Sequence, residues 1–240
     1  MKLLRWSRRI VIGMSVLGFI LLGVLLAFTY RADNIANDLL NEDFVSVERR
    51  IIIMEPEEPV MNLVFYQGGL VQTEAYLVLL ESLRASGVRV FIPRMPLNLA
   101  IINRNVITTI YDDYPSDLPW VAMGHSLGGA SLSFVVDERF DALIFLASYP
   151  ANSEDLSNLD LQVLSITASN DMILNWEQFE DTKKLLPEDT LFIDIAGGNH
   201  ANFGHYGVQQ GDGKSLISKE LQQRQTIDII LDFLNIKKEN

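Results

Sequence analysis

The chain of 240 residues has no cysteine, only three histidines and, between residues 10 and 28, no charged side chain at all. The first absence excludes disulfides, thiolate-held zinc, a cysteine nucleophile and a lipid-bearing attachment cysteine, and leaves the redox compartment open. The second narrows any imidazole chemistry to His125, His200 and His205. Basic residues are scarce too: 19 Lys and Arg face 31 Asp and Glu, a formal charge of −12. Lys2, Arg5, Arg8 and Arg9 fall in the first nine positions, which hold no acid, so the remainder stands at −16. Such a body argues against nucleic acid and anionic lipid as partners, and solubility through self-repulsion accounts for its acidity.

The uncharged run 10–28, "IVIGMSVLGFILLGVLLAF", is 19 residues long. As a helix at 1.5 Å per residue it covers roughly 28 Å, close to the thickness of a bilayer core. This predicts a single-pass anchor in the cell membrane, with the basic arm 1–9 cytoplasmic and the body outside. The alternative is a cleaved signal peptide and a secreted body. Its apolar region would usually be about 7 to 15 residues and end in small residues, whereas Phe28, Thr29 and Tyr30 close this one. Residues 29–45 read as a linker, a stalk or short helix, and 46–240 as one domain. With hydrophobic residues at 48%, that domain has ample material for a buried core.

Within the domain, strand-like and helix-like patterns alternate. "VERRIII" (47–53), "MNLVFY" (61–66), "VRVFIP" (88–93), "WVAM" (120–123), "ALIFLAS" (142–148), "QVLSITA" (162–168) and "LFIDIA" (191–196) read as strands. Helices are expected at 73–86, from Leu99 through Ile110, at 127–136, near 175–186 and around Ile227–Leu234. Short continuous apolar strands separated by amphipathic helices mean an α/β fold with a mostly parallel sheet covered on both faces. Ligands then bind beyond the carboxyl ends of the strands, where the polar residues deserve the closest reading.

One such residue is Ser126, in Gly124-His125-Ser126-Leu127-Gly128, between a strand and a helix. A tight turn with small neighbours there lifts the hydroxyl above the sheet as a nucleophile; the plain alternative is a structural turn. Serine needs a base. His200, in the glycine-rich segment after the last strand, is the candidate, with His205 in reserve and His125 assigned to packing. Asp171, after "VLSITASN", supplies the acid that orients the imidazole, or else caps the following helix; Asp194 lies inside a strand and ranks below it. The order Ser, Asp, His suits acyl transfer on this kind of sheet. Oxyanion donors would be the Leu127 N–H and, in "FYQGGLV", the N–H of Gly69 or Leu70.

The segments "FYQGGLV", "VFIPRMPLNLA", "GHSLGGA", "ITASNDM" and "GGNHANFGHYGVQQGDG" resemble the α/β-hydrolase superfamily, in the small lid-poor branch that includes dienelactone-hydrolase-like serine esterases. The resemblance runs from about residue 45 to the end. It implies Ser126 as nucleophile, Asp171 as acid and His200 as base, acting on a small-molecule acyl substrate such as an ester, with no metal or organic cofactor. Serine stands where dienelactone hydrolases use cysteine, so their substrate is not carried over. A membrane-tethered binding protein that keeps the fold without turnover is the competing class. The connection from Pro150 to Leu161 is too short for a helical cap, which predicts an open site. The loop 202–213 is either a wall of the cleft or a surface loop.

Overall fold

The computed structural model describes Gly23 and residues 27–236. The anchor expected at 10–28 and the basic arm before it therefore lie, but for Gly23, Ala27 and Phe28, outside the described residues. Among the described residues no helix is long and apolar enough to cross a membrane.

Eight strands form one sheet: β1 (Val45–Glu48), β2 (Ile51–Met54), β3 (Met61–Tyr66), β4 (Val88–Pro93), β5 (Trp120–His125), β6 (Ala142–Leu146), β7 (Gln162–Ala168) and β8 (Leu191–Ile195). Their order across the sheet is β1-β2-β4-β3-β5-β6-β7-β8. β1 and β2 are antiparallel to their neighbours and all later pairings are parallel. Six principal helices accompany them: α1 (Asn34–Asp38), α2 (Leu77–Ala85), α3 (Val106–Asp113), α4 (Leu127–Leu132), α5 (Trp176–Thr182) and α6 (Lys219–Phe233).

Strand residues alternate between two buried layers, as a pleat of period two requires. Leu63, Phe65, Val121, Met123, Ile144 and Leu146 pack with α2 and α6 on one face. Val64, Tyr66, Ala122, Leu143 and Phe145 pack with Ile107, Ile110 and Leu132 on the other. Burial on both faces is why the strands read as unbroken apolar runs rather than as alternating ones.

Three local expectations change. "VERRIII" is a hairpin rather than one strand: Arg49 and Arg50, at φ 45° and 72°, form a two-residue turn between Glu48 and Ile51. Positive φ at both central positions is what the favoured two-residue hairpin turn demands. The helix expected from Leu99 begins only at Val106, because Leu97 and Asn98 both take φ 55° and break the chain into short 3-10 turns; Ile102 consequently faces water. The helix after Ser126 ends at Leu132 rather than 136. The connection between β6 and β7 holds no helix.

The segment assigned to the linker packs onto the domain. Tyr30 bridges to Val71, Ala36 is fully buried, and the Asp33 side chain accepts from the Ala36 N–H to cap α1.

Candidate active site

β5 delivers the chain to Ser126 at the carboxyl edge of the sheet. Ser126 takes φ 52° and ψ −124°, a conformation costing a non-glycine residue about 1–3 kcal/mol unless its surroundings enforce it. They do. Its N–H donates to the Leu146 carbonyl at 2.9 Å, and its own carbonyl accepts from Ser148 Oγ at 2.6 Å, so the end of β6 clamps both sides of the peptide. A Cβ on Gly124 would meet the Gly129 nitrogen at 2.5 Å, and one on Gly128 would overlap the Tyr66 carbonyl. Only glycine lets strand, turn and helix approach this closely. In the sequence Ser148 shows only as a hydroxyl ending an apolar strand.

The other two candidates form a pair. His200 Nδ1 lies 2.7 Å from Asp171 Oδ2, and both residues are about 1% exposed. A carboxylate only accepts, so Nδ1 is the donor; in the neutral ring that leaves the lone pair on Nε2. The second carboxylate oxygen, Oδ1, accepts from the Ile173 and Leu174 N–H groups, each at 2.8 Å. Asp171 therefore holds the imidazole with one oxygen and the turn before α5 with the other, whereas the helix itself is capped by Asn175, whose side chain accepts from the Gln178 N–H.

His125 brings the elbow and the loop of His200 together. Its ring is buried and packs 4.5 Å, centroid to centroid, from the His200 ring. Its Nδ1 is 2.8 Å from the Tyr76 hydroxyl, which itself accepts from the Gly68 N–H at 3.1 Å. Nδ1 is the one acceptor among the described residues within reach of that hydroxyl's proton, and it takes the proton's hydrogen bond in the tautomer that leaves Nδ1 unprotonated. Burial, reinforced by the neighbouring His200, holds the His125 imidazole well below its ordinary value and so neutral, while burial pushes the Tyr76 phenol up. Packing was the expected role of His125; the tie through Tyr76 to the glycine loop after β3 was not legible, because nothing in "TEAY" marks that tyrosine.

In that loop the Leu70 N–H is committed to the Asn98 carbonyl at 2.8 Å, and the Gly68 N–H to Tyr76. The Gly69 N–H has no acceptor among the described residues, and a Cβ on Gly69 would stand 3.1 Å from the Leu127 side chain. As the first residue of α4, Leu127 likewise has no acceptor within its helix for its N–H.

The remaining candidates lie elsewhere. His205 bonds Asp33 Oδ2 at 3.0 Å and Gln223 Oε1 at 3.2 Å, tying α1 and α6 to the loop that carries His200. Asp194 accepts from Thr167 Oγ1 across β7 and β8. Within the loop 202–213, Asp212 accepts from the Ala201 N–H at 2.9 Å and the Met172 N–H at 3.3 Å, joining the segments that follow His200 and Asp171. Its only sequence signal is a turn-forming "GDG". No cluster of metal-ligating side chains occurs among the described residues. Four surface cavities of about 290 to 750 Å³ are lined by neither Ser126, Asp171 nor His200.

The elbow on a mostly parallel sheet is the mark of a known class of fold, and the sequence agrees: residues 62–224 match the family described as "Alpha/beta hydrolase family". The chain belongs to that family. No curated protein matches it. Among solved structures, Thermogutta terrifontis esterase 2 phosphorylated by paraoxon superposes with a TM-score of 0.62 at 10% identity, covering 82% of this chain and 97% of that one. MGS-MChE2, an α/β hydrolase enzyme from the metagenome of lagoon sediments at Mar Chica, Morocco, gives 0.60 at 18% identity over 81% and 100%. TT1662 from Thermus thermophilus gives 0.56 at 15% identity over 80% and 99%. At such identities the likeness is one of fold.

Proposed function

We propose that the chain is a serine hydrolase that cleaves an ester or related acyl bond through a covalent acyl-enzyme. Ser126 Oγ attacks the carbonyl carbon while His200 Nε2 takes its proton, and Asp171 stabilises the resulting imidazolium. The Gly69 and Leu127 N–H groups receive the oxyanion. His200 then protonates the leaving group; water repeats the sequence in reverse and frees the acid. The observations that support this reading are the buried 2.7 Å pair of His200 and Asp171 and a serine held in a strained elbow next in the chain to His125, whose ring packs 4.5 Å from that of His200. Those residues demand no metal or cofactor.

A fluorophosphonate probe tests the assignment, a choice supported by the paraoxon-phosphorylated esterase of the same fold. Labelling of the full-length chain is expected at Ser126 and lost in Ser126→Ala, together with hydrolysis of p-nitrophenyl acetate. A chain that folds but does not react would instead be a binding protein on a hydrolase scaffold. The 19 uncharged residues at 10–28, preceded by four basic ones, support a single-pass anchor with the N-terminus cytoplasmic and the domain outside. Resistance of the expressed protein to carbonate extraction tests that half.

A further inference from the structure

The chain enters the domain at the rim of the proposed active site. Tyr30 stands two residues beyond Phe28, where the uncharged run ends. Its N–H donates to the Leu70 carbonyl at 2.7 Å and its carbonyl accepts from the Gln72 N–H at 2.9 Å. The Ala32 N–H bonds Gln72 Oε1, the Asp33 N–H bonds the His205 carbonyl, and the Gln210 N–H bonds the Tyr30 hydroxyl. The residues that follow the apolar run are thus stapled to both the glycine loop after β3 and the loop carrying His200. Two residues of chain reach at most about 7 Å, while the headgroup layer on one side of a bilayer is roughly 5–7 Å deep. So short a tether cannot turn this face away from the surface that the run enters.

The same edge carries apolar side chains in water. Val208 is 92% exposed, Met172 72%, Phe28 62% and Ile102 52%, and Leu97 and Ile101 are exposed beside Ile102. They come from four separate segments: the entry, the connection after β4, the loop after Asp171 and the loop after His200. Asp212 ties the last two together through the Met172 and Ala201 N–H groups, and the Asn98 carbonyl ties the second to the glycine loop. One exposed apolar residue is ordinary; a set contributed by four segments around one edge suits a surface that enters an interface.

Building on the anchored-hydrolase reading above, we propose that this edge lies on the bilayer that residues 10–28 enter, and that the acyl substrate is an amphiphile presented at that bilayer. Its head group is neutral or zwitterionic, since a body at −16 repels an anionic one.

The absence of cysteine allows single-site labelling. Full-length Val208→Cys, Met172→Cys and, at the amino edge of the sheet, Val60→Cys are each labelled with an NBD fluorophore and reconstituted in phosphatidylcholine vesicles containing doxyl-labelled phosphatidylcholine. Quenching by about half or more at 208 and 172, with none at 60, is expected. Quenching at 60 alone, at all three sites equally, or at none overturns the proposal. Flotation with the vesicles reads the anchor separately: a chain that does not float overturns anchor and orientation together, and one that floats with unquenched labels at 172 and 208 overturns orientation alone. For the substrate, the wild-type rate on p-nitrophenyl palmitate in those vesicles should exceed that on dissolved p-nitrophenyl acetate by about tenfold. An equal or lower rate, with Ser126 still reacting with the fluorophosphonate, overturns the amphiphile and leaves the hydrolase standing.

Discussion

Asp171→Asn separates the two tasks of one carboxylate. The amide oxygen of asparagine still accepts from the Ile173 and Leu174 N–H groups, each 2.8 Å from Oδ1 in the wild type. Its NH₂, however, replaces the acceptor 2.7 Å from His200 Nδ1. Facing a donor, Nδ1 must give up its proton to Nε2, and an Nε2–H cannot accept the proton of Ser126. The structure therefore predicts a fall in kcat of about 10⁴-fold with little loss of stability; at 1.36 kcal/mol per decade that is roughly 5.5 kcal/mol of barrier. Asp171→Ala should lose activity too, but it strands two N–H groups at about 1–3 kcal/mol each. For a chain of this size, 1 kcal/mol moves Tm by about 2–4 °C, so the alanine variant should melt roughly 5–20 °C lower and the asparagine variant within about 3 °C of wild type. The assay is p-nitrophenyl acetate hydrolysis beside a thermal melt. An asparagine variant retaining a tenth of wild-type kcat, or melting as low as the alanine variant, would refute the division of labour.

Other consequences are as direct. Gly128→Ala drives a Cβ into the Tyr66 carbonyl; backbone cannot yield there, so the elbow is displaced and hydrolysis lost, with destabilisation of about 3 kcal/mol or more read in urea. Tyr76→Phe removes the hydroxyl that joins the Gly68 N–H to His125 Nδ1; leaving those groups unpaired should cost about 1–3 kcal/mol and lower kcat more than it raises KM, since the loop it holds would serve the transition state. His125 is depressed in the folded state, chiefly by burial and then by His200. Below pH about 6.5 the unfolded chain binds a proton there that the folded chain refuses. Stability at this site is thus complete above that pH and falls as pH drops towards the depressed folded value, by up to about 1.4 kcal/mol per unit. Urea melts of wild type and His125→Asn from pH 7 to 5 should differ in slope; parallel curves would show that the buried imidazole is not the cause.

Local signals were readable because they report local geometry. Gly124, Ser126 and Gly128 mark a turn that no bulkier neighbours permit, and unbroken apolar runs between helical patterns mark strands buried on both faces. The α/β architecture follows from those residues alone. What the chain order could not convey is which distant groups occupy each other's hydrogen bonds. That the Leu70 N–H is taken by the Asn98 carbonyl depends on a distant loop, and the neutral state of His125 on a burial that strand order creates. The two-arginine turn at 49–50 is not legible in the sequence, because apolar flanks look alike in one strand or two. That the segment after the apolar run closes on the glycine loop and on His205 was likewise decided only in three dimensions. Hydrophobic period and turn chemistry specify elements; partners come from the order in which the sheet assembles, and neighbours in space need not be neighbours in the chain.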